Sequence, residues 1–286
     1  MIRNFCRDIY HELLKMSCQK KNYIAFAGYL LFVVLCCIAF VTSTDALSAM
    51  LGSVEMNREN AARYLDGFFF ARILLVPTFI ILMPLVMAAL GGDCIAGESQ
   101  ENSLKLYMTR PRSRTRLVLT KFVSIYISGL FYTLFFACAG LLVGILCFGL
   151  APVQILLVPG RVFGAVTTVM ENSDALIRYF STALYFSFSL MTLGSIALFL
   201  STIFNRMSSA AIAVLTFYFV SYVVASLPIS VKLRPYLVSE IMNNAFLFWL
   251  TPFPPGKLCV NLATLAIYIT AFLLAAVISF NFKDIR

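Results

Sequence analysis

Charge is what this sequence has least of. Of its 286 residues only 12% are charged and 61% are hydrophobic, where a soluble domain carries roughly 25% charged residues. That balance excludes a soluble fold and indicates a polytopic membrane protein. A single histidine, His11, excludes a His-based metalloprotease or an intramembrane Ser-His dyad; it lies in a polar N-terminal stretch and reads as a headgroup-facing residue. No G-x-x-x-x-G-K-[ST] motif occurs, so the chain does not cradle ATP phosphates itself and any ATP dependence must come from a partner. The cysteines (Cys6, Cys18, Cys36, Cys37, Cys94, Cys138, Cys147 and Cys259) form no C-x-x-C pair and avoid the expected outer loops. A disulfide framework or zinc site is thereby disfavoured, and they read as small apolar packing residues.

What is present is a series of apolar runs long enough to cross a bilayer, about twenty residues each. Residues 1–21 come first, with Ile2, Phe5, Ile9, Leu13 and Met16 at helical spacing. They predict an amphipathic interfacial helix whose Arg3, Arg7, Lys15, Lys20 and Lys21 meet headgroups at the membrane surface. A secretory signal fits poorly, because Asp8 and Glu12 interrupt it and a full-length span follows. Spans are expected at about 22–41, 68–90, 117–150, 179–204, 209–227 and 258–280, giving an all-α protein with six transmembrane helices. Pro77 and Pro84 should bend the second span, and Arg72 near its outer end should snorkel to headgroups or form a local salt bridge. The strip Ala137, Gly140 and Gly144 allows close helix contact in the third, by default within the subunit.

No acidic residue falls near the middle of a span, which argues against a proton-coupled carrier. Nor is the net charge of +9 gathered into a basic face with interleaved aromatics, so no nucleic-acid module is expected. Of the 22 Lys and Arg residues, 14 fall in the segments assigned inside and 8 outside, the sense of the positive-inside rule. Both termini are therefore expected in the cytoplasm. Within the outer segment 228–257, the piece Ala245-Phe246-Leu247-Phe248-Trp249-Leu250 is too short to span. It is expected to be re-entrant or interfacial, with Phe248 and Trp249 as outer gate or anchor.

The loop 91–116, running into Lys121, has an order that a plain connector does not need. Asp93, Glu98 and Glu101 come first, then Ser103-Leu104-Lys105-Leu106-Tyr107-Met108, then Arg110, Pro111, Arg112, Arg114 and Arg116. Asn102 or Ser103 can cap a short cytoplasmic helix with Leu104, Tyr107 and Met108 on one face, and Pro111 ends it. The residues alone leave two readings open: a docking element, or a connector whose arginines obey the charge rule.

Asp93, Ile95-Ala96-Gly97-Glu98, Ser103-Leu104, Arg110-Pro111-x-Ser113-Arg114 and Lys121 together resemble the cytoplasmic loop of ABC-2 type transporter permeases, the membrane subunits of ATP-binding cassette exporters. Asn102-Ser103 departs from the family's usual Gly-Thr. The tight turn around Leu198-Phe199-Leu200-Ser201, Phe204, Arg206 and Ser209-Ala210-Ala211 is similar to the family's as well.

The resemblance covers nearly the whole chain and implies one ABC-2 transmembrane domain over residues 1–286, without ATPase activity of its own. On it, Asp93, Glu98, Leu104, Tyr107, Met108, Arg110, Pro111 and Arg114 couple the chain to a separate ATPase subunit, which would hold ATP and Mg. It also implies a second permease copy or paralogue, a plasma-membrane location and export. Apolar, Phe- and Met-rich spans fit a hydrophobic or amphipathic substrate. The alternatives are an ATP-independent channel or carrier and a membrane scaffold.

Overall fold

The computed structural model describes residues 2–42, 66–101, 113–151, 154–157, 167–227, 232–249 and 254–283. Six helices among them are long and apolar enough to cross a membrane. Helix α1 is Ile2–Cys18 and α2 is Lys20–Thr42. Gly67–Gln100 forms one long helix, α3, and Arg114–Phe148 forms α4. Beyond it, β1 (Gln154–Leu157) and β2 (Thr167–Met170) pair antiparallel, with Gln154 opposite Met170. Asn172–Ile203 is α5, Met207–Ser226 is α6, the short Val238–Asn243 is α7, and Pro255–Phe282 is α8. The all-helical expectation holds, with the strand pair as a small addition in a stretch that reads as loop.

An even number of crossings brings α1 and the end of α8 to one end of the bundle, here the terminal end; the strand pair and α7 lie at the far end. Helix α5 is the centre: 72% of its most apolar window is buried, against 17% for α2 and for α8 and 22% for α6. Its inward residues Tyr179, Phe186, Leu190, Leu193 and Leu198 are wholly buried. Helices α3 and α4 close against it. Gly67 and Gly144 meet backbone to backbone, and a methyl group on either would overlap the other's carbonyl oxygen. The small-residue strip of α4 thus packs within the chain, Gly140 admitting Leu74 and the Tyr29 hydroxyl.

Helix α3 contains two π-turns, Thr78–Leu82 and Asp93–Gly97. The first lies between Pro77 and Pro84, neither of which has an N–H to donate. The carbonyl that Pro84 leaves without its helical donor is that of Ile80, and the Tyr218 hydroxyl of α6 donates to it at 3.0 Å. Other tyrosines tie helices in the same manner. Tyr29 of α2 donates to the Phe136 carbonyl at 2.5 Å, Tyr179 of α5 to Ala137 at 2.9 Å, and Tyr185 of α5 to Ile241 of α7 at 3.0 Å. In an apolar surround a phenol must find an acceptor, and helix carbonyls with a spare lone pair supply it.

Candidate functional site

The second π-turn begins the site. Ile95 and Ala96 depart from α-helical bonding there, and the Ser201 hydroxyl of α5 accepts from their N–H groups at 3.1 and 2.7 Å while donating to the Gly92 carbonyl at 3.1 Å. One wholly buried serine thus satisfies the opened turn and fixes the end of α3 against α5.

Immediately after this turn stands Glu98, only 4% exposed. Its Oε1 accepts from Lys121 Nζ of α4 at 2.7 Å and from Lys15 Nζ of α1. Lys121, 2% exposed, also reaches Glu12 Oε1 at 3.4 Å. One turn away, Arg116 Nη2 donates to Asp8 Oδ2 at 2.7 Å. Two lysines and two glutamates balance in this buried cluster, which is how charge is tolerated inside an apolar bundle. Asp8, Glu12 and Lys15 are spaced i, i+4 and i+7, so they form one stripe of α1 turned toward α4. For Lys15, burial lowers its pKa, but the hydrogen bond and charge of Glu98 outweigh that and raise it above the ordinary 10.5.

The other helix ends nearby are capped by side chains from neighbours. Arg114 Nη1 donates to the carbonyls of Phe280, Asn281 and Lys283 at 3.2, 2.9 and 3.0 Å, capping the carboxyl end of α8 where a cation is favoured. Lys283 Nζ donates to the Thr202 carbonyl at the end of α5 (2.8 Å), and burial lowers its pKa. At the start of α6, the Met207 N–H donates to Gln100 Oε1 at 3.3 Å. Ser113 caps α4 itself, accepting from the Arg116 N–H.

Several expectations change here. Glu98 does not present its carboxylate to the outside, because Lys121 and Lys15 hold it among the helices. Lys15 is not a headgroup contact for the same reason, whereas Arg7 and Lys20 are exposed. Arg114 binds the end of α8. Asp93 lies in the π-turn with its carboxylate folded back toward Gly97. Leu104, Tyr107, Met108, Arg110 and Pro111 lie outside the described residues, as do the side chains of Arg3 and Lys21. At the far end, Trp249 is buried at 3% exposure against Phe68 and Arg72. The half-buried Phe248 sets its ring edge on Tyr185 and gives its carbonyl to Arg178 at 3.0 Å.

Sequence reasoning passed over Lys121, Asp8, Glu12, Arg116 and Ser201 as site residues. A signal existed for the lysine: a cation between Thr120 and Phe122 inside an apolar run requires a buried carboxylate.

At the terminal end, side chains at α3, α4, α5 and the end of α8 each hold backbone groups of another helix, and α1, α3 and α4 share the ion cluster. No curated protein matches this sequence. The model of one family, described as ABC-2 family transporter protein, matches residues 7–258, which include the whole ion cluster. With most of its length so matched, the chain belongs to the ABC-2 family of transporter membrane proteins.

Proposed function

We propose that this chain is the permease subunit of an ATP-driven exporter, moving a hydrophobic or amphipathic substrate across the plasma membrane. A separate ATPase subunit holds ATP and Mg and docks at the terminal end, which is cytoplasmic, and a second permease copy or a paralogue completes the path. Helix α1 lies along the inner membrane surface, with Arg7 and Lys20 toward headgroups.

The observation that carries this reading is the buried cluster of Glu98, Lys121, Lys15 and Glu12 at the root of the loop 102–112. A docked ATPase that shifts the loop moves α3, and the cluster forces α1 and α4 to follow. The coupling residues named from the sequence then divide in two. Leu104, Tyr107 and Met108 make the docking face, and Glu98 and Arg114 pass its displacement to the helices.

The test is purification of the tagged chain in mild detergent, co-expressed with the genes that neighbour its own. A P-loop ATPase is expected to co-purify in equal stoichiometry. In the Tyr107→Ala variant the ATPase should be lost; in Glu98→Gln it should stay bound but hydrolyse ATP more slowly. A folded chain that purifies without any ATPase would overturn the proposal.

A further inference from the structure

Six residues into α3 from Asp66, about 9 Å along the helix axis, Arg72 sits in a frame of three aromatic rings. Its guanidinium carbon lies 5.9 Å from the centroid of Phe68, 5.5 Å from Phe69 and 5.3 Å from Trp249. Rings attract a guanidinium through its faces. They do nothing for its N–H groups, which point outward in its own plane. Two of these nitrogens, Nε and Nη1, are shut off from solvent and have no hydrogen-bond partner among the described residues.

The nearest carboxylate does not complete the arrangement. Asp66 accepts from the Phe69 N–H with Oδ1 at 2.9 Å, capping α3, and from the Ala151 N–H with Oδ2 at 2.9 Å. No ion pair joins it to Arg72 among the described residues. A buried cation whose planar donors have no partner among the described residues is costly, and such groups in native proteins call for an explanation. Arg72 as a residue keeps partial exposure, although Nε and Nη1 themselves are sealed from solvent.

We propose that Arg72, framed by Phe68, Phe69 and Trp249, binds a phosphate group carried by a lipid headgroup or another amphipath. One edge of the guanidinium, Nη2 with either Nε or Nη1, matches two phosphate oxygens, and the buried rings of Phe68, Phe69 and Trp249 hold the guanidinium plane in place. Placing the site in the outer half of the membrane rests on the orientation proposed above; the binding itself does not, and its test involves no ATPase.

Trp249 is the only tryptophan in the chain, so tryptophan emission reports this site alone. The full chain in a neutral maltoside micelle is titrated with dihexanoylphosphatidylglycerol, inorganic phosphate and uncharged dihexanoylglycerol. A saturable change in Trp249 emission with the phosphatidylglycerol is expected. Phosphate giving the same change would mean that the anion suffices, and phosphate giving none would mean that the tail is needed; either supports the site. Arg72→Gln should weaken the response by roughly ten- to hundredfold, Arg72→Lys should retain part of it, and Lys232→Gln should leave it unchanged. No saturable response to either phosphate compound, an equal response to dihexanoylglycerol, or an undiminished response in Arg72→Gln would overturn the proposal.

Discussion

Lys121 shows how one residue organises several helices. Its ammonium is buried, and it faces two carboxylates from two other elements. Removing it leaves Glu98 and Glu12 sharing Lys15 in an apolar surround, a loss of about 3–5 kcal/mol for a broken buried pair. Lys121→Met should therefore lower the thermal midpoint in detergent sharply. The double variant Lys121→Met with Glu98→Gln should recover part of that loss, since Glu12 and Lys15 still balance; a purely additive double would refute the coupling. Of this site only Glu98 was legible from residues, by its place in the loop. Its partners were not, because a lysine such as Lys15 in a basic helix has headgroups as an equally good destination, and only the packing of α1 on α4 decides between them.

Among the elements, α3 owes its shape to hydrogen bonds that it does not make with itself. Ser201→Ala would leave the Ile95 and Ala96 N–H groups buried without acceptors, about 1–3 kcal/mol each. Amide exchange at those two residues should quicken while the far half of α3 stays protected. Unchanged exchange would refute the role given to the serine. Helix α1 depends instead on charge. Because the Lys15 pKa is raised in the folded chain, its contribution is complete below the ordinary value of 10.5 and disappears as pH climbs through the raised value. A distance label between α1 and α4 should accordingly hold constant through the neutral range and lengthen only above about pH 10.5; separation near neutrality would count against the lysine's role. The six spans were legible in advance since apolar length alone marks them. The π-turns were not, because extra residues in a helix leave no mark on hydropathy, and the strands β1 and β2 are too short for alternation to register.

Over the whole molecule, thiols can read the orientation. Cys6 and Cys18 are exposed on α1, while Cys94 is buried beside the ion cluster. With the remaining cysteines replaced by alanine, a membrane-impermeant maleimide should label Cys6 and Cys18 in inside-out vesicles and not in intact cells, and Cys94 in neither. Labelling in intact cells would reverse the assignment of the two ends. The span of α3 links those ends, carrying Arg72 at one and Glu98 at the other, and the two π-turns lie between them. Each π-turn admits one residue beyond the α-helical count and so rotates everything after it by about 100°. A helical wheel drawn through α3 is therefore out of phase by about 100° after Leu82 and by about 200° at Glu98. Deleting a single residue from either turn would close it into ordinary α-helix and leave Glu98 toward Lys121, whereas adding a residue to the α-helical part of α3 would swing Glu98 away by about 100°. The residue count of α3, as much as the identity of its side chains, sets which faces of the two ends work together.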